Sequence, residues 1–383
     1  MNFDYTKEQL MILKEVRKFV QTEITPRAEE LEKSGEYPYD IMEKMAELGL
    51  MGIPFPEKYG GMGSDWTTMH LVIEEIARGD VSLAALLEVT TSVVGQEIFA
   101  FGNDSQCEKW LVPLSKGEKI GAFALTEPDA GSDASALTSS AVLEGDHWVL
   151  NGTKQFITNI GLDNASLVIV AARMTVEEGK EVIATFIVPK DAPGLVLGDK
   201  YDKMAWNASA THELILNNCR IPQENLLGDP ERGFAQHLTV LETGRISIAA
   251  MAVGLAQACL DEALSYAKKR TQFKQPIFDF QAIQFKLADM AVSIELARSA
   301  YIKAAWLKDQ GKPHTFEAAV AKLYASEMAE KVASDAVQIH GGYGYMNECG
   351  VSRYYKNAKL LQIVEGTSEV QRLVIGRILA KKK

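Results

Sequence analysis

Apolar residues recur at helical spacing towards both ends of the chain. Residues 6–116 are mostly of this kind, and so are residues 231–383. In the second region Phe280, Ile283 and Leu287 follow one another every three or four positions, which predicts an amphipathic helix. Several long helices in succession predict a helical bundle at the C-terminal end.

The middle of the chain has a different pattern. Residues 118–230 contain short runs rich in β-branched residues, such as 167–170 and 182–188, separated by turn clusters. This pattern predicts a β domain between two helical regions. The predicted domains are an N-terminal helical domain over 1–117, a middle β domain over 118–231 and a C-terminal helical bundle over 232–383.

Composition narrows the class of protein. The chain has 383 residues, 47% of them hydrophobic and 24% charged, which is typical of a soluble protein with more than one packed core. A net charge of −11 argues against nucleic acid as a main partner. The four cysteines are scattered and predict neither a disulfide framework nor a zinc site. With no continuous apolar run of membrane length and no targeting peptide, we expect no membrane span and a bacterial or archaeal cytoplasmic location.

Several common catalytic motifs are missing from the sequence. It has no G-x-G-x-x-G after a strand and no G-x-x-x-x-G-K-[ST], which disfavours a Rossmann dehydrogenase and a P-loop ATPase. It has no H-E-x-x-H and no G-x-S-x-G, so it offers neither that zinc motif nor that serine nucleophile. Redox chemistry would therefore need a bound organic cofactor.

One candidate base lies near the C-terminal end. Ile363 and Val364 lead directly into Glu365, and Gly366 follows. A carboxylate next to apolar side chains is partly desolvated, which raises its pKa and makes it a stronger base. Gly366 would allow a ligand close to the backbone. The alternative is an ordinary helix start, with Thr367 as its cap.

A second candidate segment lies about one third of the way along the chain. The apolar run 122–125 is typical of a strand, and residues 126–133 (Thr-Glu-Pro-Asp-Ala-Gly-Ser-Asp) form a turn rich in hydroxyls and backbone donors. Such a loop suits a phosphate or the polar edge of a flat ligand. The alternative is a plain surface turn.

Together, in this order, these two segments resemble the acyl-CoA dehydrogenase family, and the resemblance covers essentially the whole chain. It implies an N-terminal helical domain, a middle β-barrel-like domain and a C-terminal four-helix bundle. The further matching motifs are Pro56-Glu57-Lys58-Tyr59-Gly60-Gly61, Leu150-Asn151-Gly152-Thr153-Lys154, Phe156-Ile157-Thr158-Asn159, Arg270-Thr271-Gln272-Phe273 with Phe280-Gln281, and Gln338-Ile339-His340-Gly341-Gly342-Tyr343-Gly344-Tyr345.

The resemblance implies a reaction and a base. Family members oxidise acyl-CoA thioesters to trans-2-enoyl-CoA, with FAD taking the hydride. Glu365 matches the base in its commonest position. In a minority branch the base is a glutamate directly before the arginine that matches Arg245; here that residue is Gly244, so the alternative site is empty.

The resemblance also implies contacts to FAD, some of them from a neighbouring subunit, so the active unit would be at least a dimer and usually a dimer of dimers. Phe156 stands where many relatives have Trp, with plain core packing as the alternative. The implied FAD contacts are Phe123, Leu125, Thr126, Gly131, Ser132, Phe156, Ile157 and Thr158, then Arg270, Gln272, Phe273 and Gln281 towards the neighbouring subunit's FAD, Gln338, Gly341 and Gly342 near adenosine, and Thr367 and Glu369 near the AMP portion.

Substrate contacts follow in the same way. Glu242 and Arg245 are expected near CoA, Ser132 near the pantetheine, and Thr91, Val364 and Gly366 near the acyl group. Val364 replaces the usual Tyr, which predicts a bulky acyl group, branched or alicyclic. A short straight chain, as in a butyryl-CoA dehydrogenase, is the alternative.

Two positions remain without a firm role in the sequence. Glu88 lies in the stretch 84–95 that should form the pocket floor, and we expect it to face solvent or pair locally rather than act as a second pocket group. Asn357 replaces a usual Asp, with no predicted effect.

Other functions on the same fold remain open. An electron-transferring flavoprotein is the expected electron acceptor, and an oxidase that uses O2 is the alternative, although typical oxidases are longer. A non-catalytic acyl-CoA-binding relative would more naturally have lost Glu365 or the loop 126–133, and both are present.

Overall fold

The computed structural model describes residues 4–176 and 179–381, and it shows the predicted succession of helices, sheet and helices. The N-terminal helices have at most 14 residues each, and a π-helical segment, Glu88–Gly95, joins the fifth helix to the sixth. These helices are α1 (Lys7–Phe19), α2 (Ala28–Ser34), α3 (Tyr39–Glu47), α4 (Trp66–Gly79), α5 (Val81–Leu87), α6 (Gln96–Phe101), α7 (Asp104–Gln106) and α8 (Val112–Ser115).

The middle region is one eight-stranded sheet with the order β6-β7-β3-β2-β4-β5-β8, and β1 runs parallel to β4. The other extended neighbours in this order are antiparallel, apart from a single parallel contact between β2 and β4. The strands are β1 (Ile120–Ala124), β2 (Ser140–Glu144), β3 (His147–Thr158), β4 (Ala165–Thr175), β5 (Glu181–Pro189), β6 (Leu195–Lys200), β7 (Thr211–Pro222) and β8 (Leu226–Leu227).

Strand β4 is buried on both faces, which explains its unbroken apolar run. Alternate side chains of a strand point to opposite faces. Val168 and Val170 join the core of the sheet, whereas Leu167 and Ile169 pack with the apolar side chains of the N-terminal helices. The sheet is therefore fixed against the helical domain through this strand and its neighbour β1.

The C-terminal region is a bundle of long helices. Helix α9 packs against α10, α11 and α4, so the bundle is continuous with the N-terminal domain. The helices are α9 (Gly233–Lys269), α10 (Gln281–Asp309), α11 (Thr315–His340), α12 (Gly350–Leu361) and α13 (Ser368–Lys381), and a two-stranded hairpin of β9 (Thr271–Gln272) and β10 (Gln275–Pro276) follows α9.

Two helical stretches, Val81–Phe101 and Pro230–Lys269, are long and apolar enough to cross a bilayer. In each of them 78% of the most apolar window is buried inside the protein. Their apolar character is therefore explained by the core they build.

A distant carboxylate caps α4. Asp309, the last residue of α10, accepts hydrogen bonds from the backbone N–H groups of Trp66 (2.8 Å) and Thr67 (3.0 Å) and from the Thr67 hydroxyl (2.6 Å). The first N–H groups of a helix have no partner within the helix, so Asp309 satisfies two of them and joins the bundle to the N-terminal domain.

Replacing Asp309 should therefore destabilise the protein. We expect Asp309→Ala to lower the free energy of unfolding by about 1–2 kcal/mol, measured by calorimetry or denaturant titration. The matched control is Asp289→Ala, an exposed aspartate on the same helix, which should leave the unfolding midpoint unchanged. Equal stability of the two variants would contradict this role of Asp309.

Candidate active site

The candidate base lies in a strained turn between α12 and α13. Glu365 and Gly366 both have left-handed backbones, with φ of 57° and 91°. For a residue with a side chain this conformation costs about 1–2 kcal/mol, so the surroundings must hold it. The Lys322 ammonium donates to the Gly366 carbonyl (2.7 Å), and the Gln371 amide donates to the carbonyls of Glu365 (3.1 Å) and Gly366 (2.9 Å).

The side chain of Glu365 points at helix α9, where Gly244 leaves room for it. A Cβ atom added to Gly244 would lie 2.6 Å from Cδ of Glu365 and closer still to Oε2. Glu365 as a whole is half-buried, but Oε2 is inaccessible and has no hydrogen-bond partner among the residues described. The Glu365 carboxylate thus occupies the space that a side chain at position 244 would fill.

Burial makes this carboxyl group a base suited to neutral pH. Desolvation raises the pKa of Glu365 to about 7, while the positive charges of Arg245 and Lys322 and a hydrogen bond from Glu88 oppose that rise. Lys322 is itself fully buried, and burial lowers its pKa to about 8. A general base works best with a pKa near the operating pH.

Glu88 does not face solvent, and that expectation was wrong. Its side chain is only 2% exposed, and its carboxyl group interacts with that of Glu365, far away in the sequence. Burial, together with repulsion from Glu365, raises its pKa well above the ordinary value. The physical reason is the π-helical segment that begins at this residue, because the wider turn changes which side chains point inward.

The other predicted acyl contacts lie in the same region. Thr91 is fully buried in the π-helical segment, and its hydroxyl already donates to the Met51 carbonyl (2.9 Å). Val364 packs against the largest apolar core cluster, and Gly366 carries the carbonyl that Lys322 binds. Their contacts with an acyl group stay a prediction.

Glu242 and Arg245 lie on the same helix but do not pair with each other. Glu242 accepts a hydrogen bond from the Thr315 hydroxyl (2.6 Å) and lies 3.7 Å from the His314 ring. Arg245 is 6% exposed, forms no ion pair within the described ranges, and its Nε has no partner. A buried guanidinium without a direct salt-bridge partner suits an anionic or strongly polar ligand.

The loop 126–133 is held by a buried ion pair that the sequence did not single out. Lys154 on β3 lies 2.8 Å from Glu127, which also accepts hydrogen bonds from the Thr138 and Ser139 N–H groups. Although burial alone would raise it, the pKa of Glu127 falls to about 2 because of these donors. The anchored loop leaves Gly131 and Ser132 exposed, and Gly131 has open space where a side chain would be.

The residues predicted to flank the flavin divide into buried supports and exposed surface. Phe156 has a positive φ of 62° and is 63% exposed, so the alternative of core packing is wrong for it. Ile157 is buried, and Phe123 stands edge-on to the buried ring of His237 (5.3 Å between centroids). Leu125 is buried, while Thr126 and Thr158 are half-buried.

A second group of residues lines a cavity of about 500 Å³ beside the bundle. Within this group the His340 ring stacks on the ring of Tyr266, with 4.2 Å between the ring centroids. Of the predicted contacts, Phe273, Gln281 and Gln338 are exposed but do not line it. The predicted contacts that do line it are Arg270, Gln272, Gly341 and Gly342.

The remaining predicted cofactor residues begin α13. The Thr367 hydroxyl accepts a hydrogen bond from the Val370 N–H (3.3 Å), as its predicted capping role requires. Glu369 is exposed in the first turn. The exposed Arg270 in its cavity suits a diphosphate, and the exposed Phe156 and the open loop at Gly131 suit a flat ring.

Sequence reasoning missed several supporting residues. Lys322 and Gln371 hold the turn, and a buried pair of His237 and Glu97, 2.8 Å apart, supports Phe123 from behind. A lysine among the buried alanines of α11 was the signal that could have revealed Lys322. No set of three or more His, Cys, Asp or Glu side chains in the ranges described could hold a metal ion.

These features describe a class of protein with a desolvated carboxyl group next to a surface suited to a large cofactor. Comparison with known families is more specific. Residues 6–118, 122–219 and 231–380 match the N-terminal, middle and C-terminal domains of acyl-CoA dehydrogenase. The chain belongs to the acyl-CoA dehydrogenase family, whose members are oxidoreductases with FAD as the cofactor.

Individual relatives cover the whole chain. It is 50% identical over 381 residues to the probable acyl-CoA dehydrogenase YngJ of Bacillus subtilis, covering 100% of both chains. The structure of butyryl-CoA dehydrogenase from Megasphaera elsdenii is 42% identical, with a TM-score of 0.96 and full coverage of both chains. An acyl-CoA dehydrogenase complexed with FAD from Bacillus anthracis is 34% identical, with a TM-score of 0.92 over 99% of this chain and 68% of that one.

The contact between Gly244 and the Glu365 carboxylate can be tested by adding a side chain at position 244. Gly244→Ala should displace the Glu365 carboxylate, because the added methyl group occupies its place, and lower kcat/KM by roughly 100-fold with little change in flavin content. The control is Gly376→Ala, where an added Cβ meets nothing within 4 Å. Unchanged turnover of Gly244→Ala would show that the carboxylate does not need this position.

Proposed function

We propose that this protein dehydrogenates an acyl-CoA thioester between its α- and β-carbons, with Glu365 as the base that takes the α-proton. The observation that carries the proposal is the Glu365 carboxyl group, packed dry against Gly244 and with a pKa raised to about 7. The full-length similarity to butyryl-CoA dehydrogenase supports it, because that protein is named for this class of substrate.

The protein's own part in the reaction is proton transfer. One C–H bond at the α-carbon breaks, an O–H bond forms on Glu365, and the electron pair stays with the substrate. FAD supplies the hydride acceptor when bound. Arg245 and Lys322 place two positive charges beside the carboxylate, which keep a fraction of Glu365 ionised at neutral pH despite its burial.

The flavin site would be built from two regions. Phe156, Thr158 and the loop 126–133 would hold the ring end. The cavity at Arg270 and Gly341 would hold the diphosphate and adenosine of a neighbouring subunit's FAD, since an exposed arginine and glycine backbone suit a phosphate. This arrangement requires a homo-oligomer, with a dimer of dimers as the proposed state.

For the acyl group, the proposal is a branched or alicyclic chain. Val364 is only half-buried and lies next to the base, so replacing a ring by this small side chain leaves space where the α- and β-carbons would lie. A short straight-chain substrate is the second candidate, because the Megasphaera elsdenii relative is named for butyryl-CoA.

The remaining assignments are also proposals. An electron-transferring flavoprotein in the cytoplasm is the acceptor we favour over O2, since a solved structure 43% identical to this chain over its whole length comes from work on the electron transferring flavoprotein of Acidaminococcus fermentans. A purely acyl-CoA-binding role is disfavoured because both the base and the loop are present with their supporting hydrogen bonds.

The role of Glu365 predicts a pH dependence. The base must be ionised, so anaerobic flavin reduction should slow as the pH falls below about 7, the pKa of Glu365. Glu365→Gln should lose at least about 1,000-fold in reduction rate while retaining FAD. Glu43→Gln, an exposed glutamate of α3, is the control. Normal turnover of Glu365→Gln would remove this residue from the mechanism.

The proposed acyl group can be tested with a substrate pair. Wild-type enzyme should turn over cyclohexanecarboxyl-CoA faster than butyryl-CoA, and Val364→Tyr should reverse the order because the ring refills the space. The ratio of kcat/KM for the two thioesters is the measurement. A strong wild-type preference for butyryl-CoA would contradict the bulky-substrate proposal and support the second candidate.

A further inference from the structure

A second carboxyl group reaches the candidate base from the N-terminal domain. Glu88 is 2% exposed, and its Oε1 has no hydrogen-bond partner in the part of the chain that the structure describes. Its carboxyl group is nevertheless within hydrogen-bonding reach of Glu365. We call these two residues the Glu88–Glu365 pair.

Two carboxylates cannot hydrogen-bond when both are ionised, because neither has a proton to donate. The pair must therefore hold at least one proton in this geometry. In a dry site the repulsion between two anions would be large, which has the same consequence.

The surrounding charges decide which residue carries the proton. Arg245 and Lys322 both act on Glu365 and favour its ionised form. Among the residues that the structure describes, the charged group that acts on Glu88 is Glu365 itself. The proton accordingly belongs on Glu88, which donates it in a hydrogen bond to the Glu365 carboxylate.

The elements packed against the π-helical segment include α5, α6, α8, α9 and β1. Of these, α5, α8 and β1 have no ionisable side chain. Helix α6 contributes Glu97, which pairs with His237 of α9 (2.8 Å). Helix α9 also contributes Arg245 and Glu242. Helix α11 adds Lys322 beside Glu365.

We propose that Glu88 is a positioning residue that stays neutral and donates a hydrogen bond to the Glu365 carboxylate, so that the pair holds one proton before the α-proton is taken and two afterwards. The proposal rests on Glu365 being the base. It explains why a buried carboxyl group with no cation of its own occurs in the floor of the acyl pocket.

Two substitutions separate the hydrogen bond from the ionisation. Glu88→Gln keeps a donor of the same shape but cannot ionise, whereas Glu88→Leu removes both. The pH dependence of anaerobic flavin reduction should rise at about the wild-type pH in Glu88→Gln and at a pH about one to two units higher in Glu88→Leu, since the lost donor no longer favours the Glu365 anion. Any fall at alkaline pH caused by Glu88 ionising should be absent from both variants.

A second readout does not need turnover. Infrared difference spectra recorded well above the Glu365 pKa of about 7, where Glu365 is ionised, should show a buried protonated carboxyl group in the wild type and in Glu365→Gln, and its loss in Glu88→Gln. The matched control is Glu75→Gln, a buried glutamate of α4 that pairs with Arg17 away from this site, which should leave the pH at which reduction rises unchanged.

Three outcomes would overturn the proposal. Superimposable pH profiles for wild type and both Glu88 variants would show that Glu88 only fills space. A shift to lower pH in Glu88→Leu would place the proton on Glu365 instead, and so would an unchanged infrared band in Glu88→Gln. Full activity of Glu365→Gln is a different result, because it would contradict the proposed base itself.

Discussion

The site depends on one constrained turn. Glu365 and Gly366 are held in left-handed conformations by hydrogen bonds from Lys322 and Gln371, and the carboxylate that results is pressed into the space left by Gly244. Both features are needed. The turn directs the Glu365 side chain towards α9, and Gly244 leaves the space that its carboxylate occupies. A side chain at position 244 would therefore exclude the Glu365 carboxylate from its present place.

Several ionisable groups are buried around that turn, where the charged form of each is unfavourable in free energy. Arg245, Lys322, Glu88 and Glu365 are all wholly or largely desolvated at their charged ends. A buried charge is tolerated only with a compensating partner, and in the protonation state proposed above two cations face one anion and one neutral acid. The excess positive charge is well placed for a substrate that becomes negative as it loses a proton, which is how electrostatic preorganisation lowers a barrier.

Much of the architecture was predictable from periodicity, because long amphipathic helices and an unbroken apolar strand such as β4 leave recognisable patterns in the sequence. The desolvation of Glu365 was predictable too, since Ile363 and Val364 precede it directly, whereas its role as the base stays a proposal. Glu88 was not, because its inward direction comes from a π-helical turn that helical periodicity does not reveal. The contact of Lys322 was not predicted because its partner is a backbone carbonyl, that of Gly366, in the turn between α12 and α13. No sequence motif marks such a contact.

Exchange of the substrate's α-hydrogen with solvent tests the central claim most directly, because it isolates proton transfer from hydride transfer. Enzyme with its flavin already reduced would be mixed with an acyl-CoA in deuterium oxide, and loss of the α-hydrogen followed by NMR. The account predicts rapid exchange with wild type and none above background with Glu365→Gln. Equal exchange by the two enzymes would contradict it.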